Sequence, residues 1–184
     1  MNARAIARPV RLGDIPALTK LDLRYDASRV LAISRQDTAD GYMFSLQWTD
    51  RAAATELYNT YDDARLRGAI ERVDLFLVAE VRGIPAGLLM GMLPKWTDAG
   101  EITDLAIDVR ARRCGAGRAL VDAAVDFART RGLRALSVEP RGDNAVAIEF
   151  YRVLGFRLSG FNDRMYSNAD DAPGRTTLFM HLEV

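Results

Sequence analysis

Between Glu101 and Arg118 the chain concentrates the residue types that do chemistry. Glu101 and Asp104 are carboxylates in a stretch, Glu101 to Val109, that alternates like a β-strand. Arg112-Arg113-Cys114-Gly115-Ala116-Gly117-Arg118 follows and runs into a helical pattern from Gly117 to about Thr130. Two glycines spaced by one residue let main-chain N–H groups converge without side chains in the way. The helix behind them adds unpaired donors and a partial positive charge. The combination is a cradle for an anion, most often a phosphate or diphosphate, and guanidinium forks on either side suit its oxygens. The same spacing also suits a plain strand–turn–helix junction with glycines for geometry alone.

Spacing excludes two phosphate loops. A P-loop needs four residues between its glycines and then Gly-Lys-Ser/Thr. A dinucleotide fingerprint needs a further Gly or Ala where this chain has Leu120. Arg112-x-x-Gly115-x-Gly117 instead resembles the Gln/Arg-x-x-Gly-x-Gly/Ala signature of the GNAT acetyltransferase superfamily. Asn144-x6-Tyr151-x3-Gly155-Phe156 resembles that family's second signature. The first likeness implies that Arg112, Arg113, Cys114, Gly115, Ala116, Gly117 and Arg118 hold the diphosphate of acetyl-coenzyme A. The second implies that Asn144 meets the pantetheine arm and that the Tyr151 hydroxyl meets the departing sulfur. Glu101 to Val109 resembles the family's splayed fourth strand. There the main chain around Leu105, Ala106, Ile107 and Val109 would pair with pantetheine amides, and one N–H would face the thioester oxygen as charge develops on it. Gly160 to Asn168 and the tract from Trp96 to Ile107 are similar to streptothricin acetyltransferases, from which the N-terminal third departs.

That resemblance implies an amine acceptor. A lysine-type amine has a pKa of ~10.4, so only about one molecule in 10³ is neutral and nucleophilic at pH 7. A base must take its proton. Glu101 and Asp104 are the catalytic candidates, with Glu139 a third; whether Glu101 and Asp104 share a face depends on a bulge. Tyr151 is the expected acid. Asp62, Asp63, Asp98, Asp163, Asp170 and Asp171 are candidates for an acidic mouth, or simply surface residues. Trp48 and Trp96 read as packing residues, with stacking on an acceptor as the alternative. Cys114 is expected to point away while its N–H binds phosphate. A covalent route would need His181, the only histidine. No metal site is assigned.

The elements that must position these residues follow from periodicity. Ala5 to Arg11 reads as a strand, and Asp14 as the N-cap of a helix beginning at Ile15 and Pro16. Residues 25–50 carry weak periodicity. A second helical region is expected from Asp50 through Leu57, Tyr58 and Tyr61, reaching Ile70. Leu75 to Val81 and Ala86 to Leu93 read as a hairpin. The helix after the glycine loop should bury Leu120, Ala123, Ala124, Phe127 and Ala128 and end at Gly132. Ala135 to Glu139 should pair in parallel with the strand before that helix. A helix from about Asn144 to Leu154, then strands Phe156 to Phe161 and Thr176 to Val184, complete the chain.

That order implies an α/β GNAT fold, a mixed sheet of about seven strands with a splayed cleft and flanking helices, in one domain over residues 1–184. With 25 basic and 25 acidic residues no global field favours nucleic acid. No apolar run is long enough to cross a bilayer, so a cytoplasmic protein without a membrane partner is expected. A homodimer is compatible with the sequence. The leading expectation is an acetyl-coenzyme A-dependent N-acetyltransferase acting on a cationic, streptothricin-type amine and linked to antibiotic resistance. The alternatives are transfer to protein N-termini, lysines or polyamines, and a non-catalytic acyl-coenzyme A-binding module.

Overall fold

The structure is a computed structural model that describes residues 5–52, 54–165 and 176–184. It forms two compact units, residues 1–24, 57–138 and 181–184 in the first and 25–56 and 139–180 in the second. Asp170, Asp171 and the tail beyond Met165 that suggested a subgroup lie outside the described residues.

The first unit contains β1 (Ile6–Pro9), α1 (Ile15–Leu18), α2 (Asp63–Arg72), β6 (Leu75–Val81), β7 (Ile84–Met92), β8 (Ala99–Ile107), α3 (Ala116–Thr130) and β9 (Ala135–Val138). β1, β6, β7 and β8 pair antiparallel in that order, and β8 pairs in parallel with β9. One sheet face is covered by α1 and α2 through Leu18, Leu66, Val78, Leu88 and Met90. α3 packs on β1, β6, β7 and β8 with Leu120, Val121, Ala124 and Ala128 buried. Its C-terminus closes as expected: Gly132 has φ 68° and Leu133 N–H donates to Ala128 O.

The second unit holds the hairpin β3 (Arg29–Thr38) and β4 (Gly41–Asp50), helix α4 (Ala145–Val153), β10 (Arg157–Asn162) and most of β11 (Thr177–Glu183). β2 (Arg24–Asp26) and β5 (Thr55–Leu57) form a small pair. The seven strands of the main mixed sheet are ordered β1-β6-β7-β8-β9-β11-β10. This is the expected fold class.

Three local readings are corrected. Asp14 stands at the N-cap position of α1 as expected, but its carboxylate makes no cap hydrogen bond; it accepts from the two terminal Arg8 guanidinium nitrogens at 2.8 Å and from Arg11 N–H at 2.7 Å. The helix expected from Asp50 begins only at Asp63. Leu57 lies in β5, and Asp62, read earlier as mid-helix, is the N-cap, accepting from Arg65 N–H at 2.7 Å. The weakly periodic residues 25–50 contain a ten-residue-per-strand hairpin. Its tip is exposed on both faces, so no apolar alternation marks it.

Gly87 sets how closely β7 and β8 approach. A Cβ there would lie 2.4 Å from Ile107 Cδ1 and 2.7 Å from Ala106 O. Gly87→Ala is expected to destabilise the protein by about 1–3 kcal/mol, read as a lowered urea midpoint at unchanged slope.

Candidate active site

β8 is paired on one side throughout Asp104–Ile107 but on the other only as far as Ile102, where β9 ends at Val138. Beyond that point β9 gives β8 no partner, and a row of strand-edge amides and carbonyls faces outward. This is the splayed strand that the resemblance implied, and Leu105, Ala106 and Ile107 lie on it.

Register between β7 and β8 settles the relation of the two carboxylates. Gly91 pairs with Ile102 and Met90 with Asp104, so Thr103 is an extra residue. The bulge reverses the alternation and puts Glu101 and Asp104 on one face rather than opposite faces. Their surroundings differ. Asp104 accepts a 2.7 Å hydrogen bond from the Tyr61 hydroxyl and lies 3.7 Å from Arg65, whose guanidinium also stacks over the Tyr61 ring at 4.9 Å. Burial is the main reason the Tyr61 hydroxyl is held well above the ordinary phenol range. Glu101 is half-buried, with no hydrogen-bond or ion-pair partner among the described residues.

The strand ends at Ile107, not Val109. Asp108 turns the chain into a 3₁₀ turn, Val109–Ala111, and its buried carboxylate ties the turn together. It accepts from Asp22 N–H at 3.0 Å, from Arg110 N–H at 2.8 Å, and from the Arg110 guanidinium at 2.6 and 2.8 Å. The Arg110 contact is the largest cause of a carboxyl held far below its ordinary value. Val109 lies past the strand end, and its N–H is committed to Asp22 O at 2.8 Å, which leaves its carbonyl as the group it could offer a ligand.

Arg112 folds back and its Nε reaches Ile107 O at 3.4 Å; burial lowers its pKa. Arg113 has φ 63° and Gly115 φ 88°, left-handed conformations that Gly115 adopts without strain. α3 begins without a side-chain cap, and its first intrahelical bond is Ala119 N–H to Gly115 O. Ala116, Gly117 and Arg118 therefore offer N–H groups with no intrahelical acceptor. A concavity of about 520 Å³ beside the loop is lined by Arg82, Arg110, Arg112, Arg113 and Cys114. Cys114 is exposed, and its thiol donates to Ala111 O at 2.6 Å. Arg82 was missed by sequence reasoning: it sits in a hairpin turn some thirty residues before the loop.

In the second unit Asn144 is the N-cap of α4, its Oδ1 accepting from Ala147 N–H at 3.0 Å. Tyr151 is buried, with its ring against Phe156 at 5.2 Å. Trp48 is half-buried under Arg29, whereas Trp96 is 87% exposed, so its reading as a packing residue is wrong. Among the described residues no group of three or more His, Cys, Asp or Glu is placed to hold a metal, and no helix is long and apolar enough to cross a membrane.

The model of the acetyltransferase (GNAT) family matches residues 40–156, and the chain belongs to that family. It is an acetyl-coenzyme A-dependent N-acetyltransferase. It is 28% identical over 183 residues to a streptothricin acetyltransferase of Streptomyces lavendulae, covering 95% of this chain and 93% of that one. A shorter match, 34% over 73 residues, joins 40% of the chain to 49% of a ribosomal protein bS18-alanine N-acetyltransferase of Escherichia coli. Its fold is similar to a crystal structure of nourseothricin acetyltransferase (TM-score 0.78, 26% identity, 97% and 98% of the two chains). A Bacillus anthracis structure in complex with acetyl-coenzyme A aligns over 100% and 99% with a TM-score of 0.80; at 16% identity it shows the fold alone.

The acid behaviour of the Asp108 knot follows from its sign. Its carboxyl is depressed from an ordinary value of 3.8, so the stability it contributes is complete above that value and is lost as pH falls below it. Asp108→Asn is expected to lower stability at neutral pH and to flatten the loss of urea midpoint between about pH 5 and pH 2.

Proposed function

We propose that the protein transfers acetyl from acetyl-coenzyme A to a primary amine of a cationic, streptothricin-type small molecule in the cytoplasm, and so confers resistance to it. The observation that carries the acceptor class is the full-length likeness to a streptothricin acetyltransferase, which extends over 95% of the chain. The match to the ribosomal-protein enzyme stops at 40%. Acetylation removes the positive charge of the amine it modifies.

The residues present fit the donor. The uncapped first turn of α3 (Ala116, Gly117, Arg118) with the main chain of Arg113, Cys114 and Gly115 would hold its diphosphate. The unpaired edge of β8 at Leu105, Ala106 and Ile107 would take the pantetheine amides as an added strand would. Asn144 has its oxygen committed to α4, so it contributes through its Nδ2 donors. Bound acetyl-coenzyme A supplies a thioester carbonyl open to attack.

Glu101 is the base. It shares a sheet face with Asp104 but, unlike it, is not engaged by a hydroxyl and an arginine. It takes a proton from the acceptor's ammonium group, directly or through water, and so frees the neutral amine to attack. Asp104 orients Tyr61 and Arg65, and the Tyr151 hydroxyl donates a proton to the leaving sulfur. A direct transfer of this kind leaves Cys114 no covalent task.

Free-thiol release with streptothricin, a polyamine and an alanine-terminated peptide tests the acceptor. The highest kcat/KM is expected for streptothricin. Preference for the peptide would replace the acceptor class, and tight acetyl-coenzyme A uptake with no turnover on any amine would favour a non-catalytic module. Glu101→Gln should lower kcat by about 10²–10⁴. Tyr151→Phe should lower kcat far more than donor affinity, while Cys114→Ser should retain activity.

A further inference from the structure

Among the described residues only two non-glycine positions have positive φ, Arg82 (54°) and Arg113 (63°). Both line the same concavity. Such conformations strain a residue with a long side chain, and strain of this kind gathers where a ligand is gripped. At Arg82 the departure is plain. Val81 pairs with Ile84 across a two-residue turn in which Arg82 and Gly83 both have φ above zero. The first place in that turn ordinarily falls to Asn, Asp or Gly.

The arginines of the concavity are not equivalent. Arg110 is neutralised by Asp108, and Arg112 is half-buried with its Nε on Ile107 O. Arg82 and Arg113 are exposed and have no acidic partner among the described residues. Two uncompensated guanidinium groups on separate loops match an anion of charge close to −2 with three acceptor oxygens. That is a phosphate monoester. The diphosphate, with one charge and two terminal oxygens on each phosphorus, is already met by the unpaired main-chain N–H groups of the α3 turn.

We propose that Arg82, acting with Arg113, binds the 3′-phosphate on the ribose of acetyl-coenzyme A and makes the enzyme discriminate coenzyme A from its dephospho form. The inference rests on the donor reading given above. The hairpin turn contributes the arm, and the loop before α3 contributes the opposing one.

Calorimetric titration with acetyl-coenzyme A and with acetyl-3′-dephospho-coenzyme A tests it. The wild-type protein should bind the phosphorylated donor about tenfold or more tightly, the factor expected of an exposed charge-assisted contact. Arg82→Asn is the informative variant, since Asn suits the turn and leaves the fold intact. It should lose most of that ratio with affinity for the dephospho form unchanged, and its KM for acetyl-coenzyme A should rise while kcat stays. Arg67→Asn, which removes the same charge from the outer face of α2, should leave the ratio as in wild type. A wild-type ratio near one, or equal weakening of both donors by Arg82→Asn, overturns the inference and leaves the donor site standing. No uptake of either donor overturns the donor reading itself, and this inference with it.

Discussion

Main-chain polar groups left without internal partners govern this molecule. β9 stops at Val138 while β8 continues to Ile107, so five residues of strand edge project amides and carbonyls away from β7. Nine residues after that strand α3 starts with no side chain capping its first turn. Each feature alone is a liability, since unpaired backbone groups invite water or another chain. Together they form an extended edge that leads to a cluster of donors. An acyl carrier built from an amide-bearing arm and a diphosphate has the complementary groups in the same order.

Holding that arrangement takes a rigid corner. Asp108 is the residue on which it turns, because one buried carboxylate satisfies N–H groups from Asp22 and Arg110 and a guanidinium as well. Val109 N–H to Asp22 O locks the same corner from the main chain. Gly87 lets β7 approach the end of β8 closely, and Arg112 braces Ile107 from beyond it. The strand end and the loop are therefore fixed relative to one another before any ligand arrives. Preorganised donors of this kind need little rearrangement as charge develops.

Much of the site was legible because it depends on local chemistry. Gly115 and Gly117 with a helix behind them, and the carboxylates of the preceding strand, are recognisable from type and spacing. So is the helix from about Asn144 to Leu154, found as α4. The long β3–β4 hairpin was not legible, because a ribbon exposed on both faces has no need of apolar alternation. The false helix from Asp50 came from the spacing of Leu57, Tyr58 and Tyr61. In the folded protein Leu57 is part of a strand, and Tyr61 is drawn into the core beside Leu66.

By itself the amino-acid order determined the family, the glycine loop ahead of α3, the parallel strand–helix–strand unit and the presence of two carboxylates on the strand before that loop. These follow from interactions within a few residues, where side-chain type and backbone freedom act directly. Tertiary structure alone decided that a one-residue bulge at Thr103 turns Glu101 and Asp104 to one side, that Tyr61 and Arg65 claim only the second, and that Arg82 shares a concavity with the loop before α3. Each depends on register or approach between segments remote in the chain, and no local pattern encodes a distance that the packing of a whole sheet sets.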